Sequence, residues 1–148
     1  MAPAPPVRHA CAMPTPRTLD TPGLHALVPL AATLGLRVAS AAPETVRVEL
    51  DHRPELCTAG GILHGGALMA LADTAGAVCA FLNLPDGATT TTVESKTNLL
   101  AAVRGGVVAA TATPLHVGST LIVVETELRR DDGRLAAKTT QTQAVLRG

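Results

Sequence analysis

The sequence predicts an α+β domain in which an antiparallel sheet curls around one long helix. Three observations predict it. An apolar run from Gly65 to Leu82 holds a single fixed charge, Asp73; four strand-like segments follow it in a row; and one or two more precede it. At 148 residues, with 47% hydrophobic and 16% charged side chains, there is material for one domain and its core.

Residues 1–20 contain Pro3, Pro5, Pro6, Pro14 and Pro16 among small side chains, the composition of a flexible tail. They lack the apolar centre of a signal peptide. His9 and Cys11 are two ligand-type side chains on that tail, too few for a metal site. The folded domain is expected over residues 21–148. Thr21-Pro22 is expected to cap a short helix running to about residue 33, with proline at its first turn. Residues 36–40 and 45–51 read as strands around an Ala-Pro-Glu turn, since Val46, Val48 and Leu50 alternate with Arg47, Glu49 and Asp51.

A loop over residues 52–63, carrying Thr58, Gly60 and Gly61, delivers the chain to the central helix at about residues 65–83. Ala67, Leu68, Met69, Ala70 and Leu71 favour helix. The segment is apolar on every face, so it is expected to be buried all round. Pro85 and Asp86-Gly87 stop it. The later strands are expected at residues 89–100, 107–113, 120–130 and 135–146. Gly105-Gly106 and Asp131-Asp132-Gly133 mark turns, and Pro114 marks a bulge or break. A membrane span is rejected for the helix. Asp73 would lie near the bilayer centre at about 3 kcal/mol, and alternating strands follow.

Composition excludes other classes. Phe81 is the one aromatic side chain and the net charge is zero, so neither base stacking nor an electrostatic footprint for nucleic acid is present. Cys11, Cys57 and Cys79 have neither zinc nor disulfide spacing, and a reducing cytoplasm is the natural setting. There is no GxxxxGK phosphate loop and no GxSxG elbow. Ser40, Ser95 and Ser119 have no companion His and Asp in a suggestive arrangement.

The chemistry concentrates at the helix. A carboxylate within an apolar helix is costly unless it is paired, hydrogen-bonded or used, which singles out Asp73. The helix start offers free N–H groups and a positive dipole end to an oxyanion, and Gly65 and Gly66 let a carbonyl approach that backbone.

These residues also carry a resemblance. Gly61-Ile62-Leu63-His64-Gly65-Gly66, with Leu71-Ala72-Asp73 after it, matches Gly-x-x-His-Gly-Gly-x-x-x-x-Leu-x-Asp in full. It resembles the signature of hotdog-fold acyl-CoA thioesterases, most of all the phenylacetate-degradation type and the second type of 4-hydroxybenzoyl-CoA thioesterase. A second match lies at Leu115-His116-Val117-Gly118-Ser119-Thr120, and the likeness covers residues 23–146.

The resemblance implies the hotdog fold and hydrolysis of an acyl-CoA thioester without metal or cofactor. The backbone at Gly65 would polarise the carbonyl, and Asp73 would act as nucleophile or general base. His64 would orient the site or tie the loop down. Thr58 stands where relatives usually carry Asn or Gln to position water, and has a shorter reach. Ala77 stands where some relatives have a hydroxyl. Ser119 and Thr120 would contact the coenzyme A portion. Asn98-Leu99-Leu100-Ala101-Ala102 resembles an Asn-Phe-Leu-Arg-Pro segment from which the Arg and Pro are missing. Arg104, Arg129 and Arg130 are therefore candidates for the coenzyme A phosphates.

Residues 65 and 73 are eight apart, about 12 Å along a helix axis at 1.5 Å per residue. One helix cannot present both to one thioester. The resemblance accordingly implies a homodimer with sites shared between chains, pairing further into a tetramer. The alternatives of the same fold are a non-catalytic domain binding acyl-CoA or acyl carrier ligands, and a hydratase. A hydratase would want a His shortly after Asp73, and none is present there.

Overall fold

In the computed structural model, which describes residues 18–147, the apolar run forms α3 (Gly65–Leu82). Six strands make one antiparallel sheet around it: β1 (Arg37–Ala42), β2 (Thr45–Asp51), β3 (Ala88–Leu99), β4 (Val107–Val117), β5 (Leu121–Arg130) and β6 (Leu135–Arg147). Their order across the sheet is β1-β2-β4-β5-β6-β3. The α+β expectation and the hotdog architecture both hold. Residues 1–17, with His9 and Cys11, lie outside the described residues.

The expected N-terminal helix is two. α1 (Thr21–Leu27) and α2 (Pro29–Leu34) meet at Val28, whose backbone, at φ −128° and ψ 88°, leaves the helical region that the following proline disfavours. The cap is Asp20 rather than Thr21, and its carboxylate accepts the Gly23 N–H at 2.8 Å. Thr21 instead accepts the Val38 N–H at 2.9 Å and so ties α1 to β1. β4 runs on past the expected end to Val117, and its register slips between Pro114 and His116, so Pro114 sits at a bulge rather than a stop.

The core lies between α3 and the sheet. Ala67, Leu68, Leu71, Ala72, Ala75, Val78 and Cys79 pack towards inward residues such as Val48, Leu50, Val108, Ala110, Ile122 and Leu128, all buried. Small side chains on α3 let it lie close to the strands. By length and composition α3 passes for a membrane span, yet half of it is buried against the sheet.

It is not buried all round. Gly66, Met69, Ala70, Asp73 and Ala77 form a stripe that stays half-exposed or open, with Met69 at 45%. Apolarity shows that a helix avoids water; it does not show whether its own chain covers every side. β3 is also open. It is twelve residues long and pairs, among the described residues, only with β6, and Val93 and Leu99 are 63% and 53% exposed.

Burial pushes the Cys79 thiol up to about 11, so little thiolate exists near neutrality. We expect a thiol-reactive disulfide at pH 8 to label the half-exposed Cys57 of the native protein and to leave Cys79 untouched until denaturant is added, read by peptide mass.

Candidate active site

The helix start is built by His64. Its extended backbone ends the loop, and its carbonyl accepts the N–H groups of Ala67 at 2.9 Å and Leu68 at 3.2 Å. Its ring Nδ1 accepts the Gly66 N–H at 2.8 Å, so the neutral ring carries its proton on Nε2. Three of the first four helix donors are thereby occupied. The fourth, the Gly65 N–H, has no partner among the described residues. It is the helix-start donor left free for a further acceptor, and His64 is the residue that singles it out.

A Cβ on Gly65 would lie 2.6 Å from Leu99 Cδ1, so the β3 side chain crosses the backbone there and only glycine fits without moving it. Around Gly65 is a cleft of about 330 Å3, lined by Thr58, Ile62, Leu68, Leu99 and Leu100 among others. The tight turn that brings Thr58 there has its N–H on the Ile62 carbonyl at 2.8 Å and Gly61 at φ +65°. Thr58 is exposed. Asn98, next to Leu99 on the edge strand, is exposed as well.

Asp73 lies elsewhere, in a mainly apolar cleft of about 310 Å3 formed with Leu24, Leu27, Val28, Ala77, Phe81 and Thr90. Its Oδ1 accepts from the Thr92 hydroxyl at 3.2 Å and from Gln141 Nε2 at 3.1 Å. Behind Thr92, Gln143 Nε2 donates to the threonine oxygen at 2.8 Å. Sequence reasoning did not name Thr92, Gln141 or Gln143. A signal was there: Thr139, Gln141 and Gln143 share one face of a strand with the apolar Ala137, polar residues at alternate positions where a core face is due.

A third cleft, of about 490 Å3, shares Leu100, Ala101 and Ala102 with the Gly65 cleft and holds Arg104, Arg130 and Arg134 together with Asp131. Arg130 donates to the Ala102 carbonyl at 3.0 Å and to the Asp132 carboxylate. The Arg134 backbone N–H, then Arg130, hold the Asp132 carboxyl below its ordinary range. Arg104 and Arg134 form no ion pair among the described residues. Arg129 turns to Glu127 at 2.8 Å and does not line this cleft. Ser119 and Thr120 sit in the exposed turn between β4 and β5 and line none of these three clefts. One chain thus joins Thr58 with Gly65, and keeps Asp73 and the pair Ser119 and Thr120 apart from them.

Comparison with known proteins agrees with this fold. A model of the thioesterase superfamily matches residues 60–137. The Saccharolobus solfataricus protein SSO2140 is 37% identical over 100 residues, 68% of this chain and 71% of its own. The 1,4-dihydroxy-2-naphthoyl-CoA hydrolase of Escherichia coli is 34% identical over 86 residues, 58% of this chain and 63% of its own. The crystal structure of the thioesterase HI1161 from Haemophilus influenzae superposes with a TM-score of 0.83 at 26% identity, covering 91% of this chain and 96% of that one. With its helix inside a curled sheet and a superfamily match across most of the sheet and all of α3, this chain belongs to the thioesterase superfamily of thioester hydrolases.

Proposed function

We propose that the chain hydrolyses an acyl-CoA thioester to the free acid and coenzyme A. The observation that carries this reading is the unpartnered Gly65 N–H, which opens on a cleft continuous with the arginine-lined one. A thioester carbonyl accepting from Gly65 becomes electrophilic, and its oxyanion meets the positive end of α3. Asp73 attacks the carbonyl carbon or takes a proton from the attacking water. The C–S bond breaks and the thiolate leaves, to be protonated as coenzyme A; where Asp73 itself has attacked, water then hydrolyses the acyl–Asp73 anhydride to the free acid. The acyl group lies in the apolar cleft beside Asp73, and the phosphates reach towards Arg104, Arg130 and Arg134.

The site is shared between two protomers. Asp73 is eight residues from Gly65, about 12 Å along α3, whereas attack needs about 3 Å. The open stripe of α3 and the unpaired edge of β3 supply surfaces for a twofold partner. There, Gly65 of one protomer faces Asp73 of the other, and each dimer has two equivalent sites.

A panel of aliphatic and aryl acyl-CoA thioesters, followed by thiol release, tests the activity. Asp73→Asn is expected to lose on the order of 10²–10⁴-fold in kcat while still binding substrate analogues. Wild-type turnover by that variant would remove Asp73 from the mechanism.

The shared site is tested by complementation. Asp73→Asn and Gly65→Val proteins, each nearly inactive alone, are unfolded together and refolded as a mixture. One site of a mixed dimer carries both lesions and the other neither, so activity returns in proportion to the mixed dimers. Verified mixed dimers as inactive as their parents would refute the arrangement.

For the phosphates, Arg104→Ala with Arg134→Ala raises KM about tenfold for the coenzyme A thioester. The rise shrinks in high salt. With the same acyl group on N-acetylcysteamine, which has no phosphate, KM is unchanged.

A further inference from the structure

Two glutamines lie on the inner face of β6, Gln141 at 0% and Gln143 at 1% exposure. Polar side chains buried this deeply are retained only where their hydrogen bonds are made or used. We infer that these glutamines, with Thr92, are positioning residues that hold Asp73 by one oxygen, Oδ1, and leave Oδ2 to react. The inference rests on the reading of Asp73 as the catalytic carboxylate.

Direction is what the hydrogen bonds fix. An amide nitrogen only donates, and a carboxylate only accepts. Gln141 Nε2 lies 3.1 Å from Asp73 Oδ1 and 3.5 Å from the Asp73 carbonyl, so its donor end is turned to the helix. Gln143 Nε2 donates to Thr92 Oγ1 at 2.8 Å. With its oxygen so engaged, Thr92 directs its own hydrogen to Asp73 Oδ1 at 3.2 Å. The Thr90 hydroxyl has one hydrogen for two acceptors, Gln143 Oε1 at 3.1 Å and the Ala144 carbonyl at 2.9 Å. From Gln143 through Thr92 to Asp73, each donor therefore points the same way. Two donors converge on Oδ1 and fix the plane of the carboxylate. Oδ2 has no hydrogen bond among the described residues, and Asp73 lines the apolar cleft.

Two features of the backbone serve this arrangement. Gly76, one turn of helix below Asp73, makes the slot for Gln141: a Cβ there would lie 2.0 Å from Gln141 Oε1. That Oε1 is buried without a donor, so the amide is seated for its nitrogen end at the expense of its oxygen end. The second is the register slip in β3 between Thr92 and Glu94. Before it, Thr90 and Thr92 share the face of Gln143; after it, Ser95 and Thr97 are opposite Gln141 and Thr139. Glu94 and Lys96 are thereby turned to the other face, and no charge from β3 competes with the donors at Asp73.

The experiment measures kcat and KM of Thr92→Val, Thr92→Ser, Gln141→Met, Gln143→Met and the double variant Thr92→Val with Gln143→Met. The substrate is the best of the acyl-CoA panel, each fold is checked by its thermal midpoint, and Asp73→Asn is run beside them. Thr92→Val and Gln141→Met are expected to lower kcat about tenfold with KM within about twofold. Thr92→Ser keeps kcat within about threefold, since the hydroxyl returns. Gln143→Met lowers kcat alone but adds nothing in the Thr92→Val background, because it acts through that hydroxyl. If Thr92→Val and Gln141→Met turn over at the wild-type rate while Asp73→Asn is inactive, the one-oxygen hold is overturned and the catalytic reading of Asp73 stands. Equal losses from Gln143→Met in both backgrounds would overturn its direction-setting role. An active Asp73→Asn removes the reading and the inference together.

Discussion

α3 lies inside the curl of the sheet because its contact residues are small. Ala67, Ala72, Ala75 and Gly76 bring its backbone near the strands, and Leu68, Leu71 and Val78 fill what remains. The helix is thereby fixed, and so is the spacing of everything it carries. Its first free N–H and its one carboxylate are set a fixed rise apart, and no side-chain motion brings them to one bond. Gly65 and Asp73 accordingly open on separate clefts. His64 adds to this by filling three of the four donors at the helix start, which leaves a single N–H free there among the described residues.

Charge is divided along the same line. The chain is neutral overall, yet Asp73 lies among Leu24, Leu27, Val28 and Phe81 while three arginines gather at the turns beyond Leu100. An apolar site strengthens a carboxylate's interactions because little water competes for it. The arginines stand nearer to water, with Asp131 in the same cleft and Arg130 paired to Asp132, so what they hold is held loosely and subject to salt.

Much of this was legible in the sequence. The bounds of α3, β2 and β5 follow within a residue from apolar runs, period-two alternation and turn residues, and Pro114 marks the bulge in β4. The motif around His64 and Asp73 named the helix start and the carboxylate. What escaped has physical reasons. The break between α1 and α2 follows from the restriction that Pro29 places on Val28, a local effect hidden within a run of helix formers. The open stripe of α3 depends on which sides the sheet reaches, which hydropathy does not encode. Thr92, Gln141 and Gln143 become partners of Asp73 only through the pairing of β3 with β6 and through the register slip in β3. Neither the pairing of strands distant in sequence nor the position of a slip is written in any single segment.

That pairing has a consequence in time. The bond between Gln143 and Thr92 joins residues 51 apart in sequence, and those from Asp73 reach 19 and 68 residues further along the chain. Closing such loops is slower than winding a helix, because chain entropy is lost before the contact returns it. α3 can form early from local hydrogen bonds, and with it the donor at Gly65. The grip on Asp73 must wait until the last strand, β6, has found β3. A chain emerging from synthesis carries its carboxylate ungoverned until β6 has been made and paired, so on the proposed reading competence for chemistry comes late in the folding of this domain.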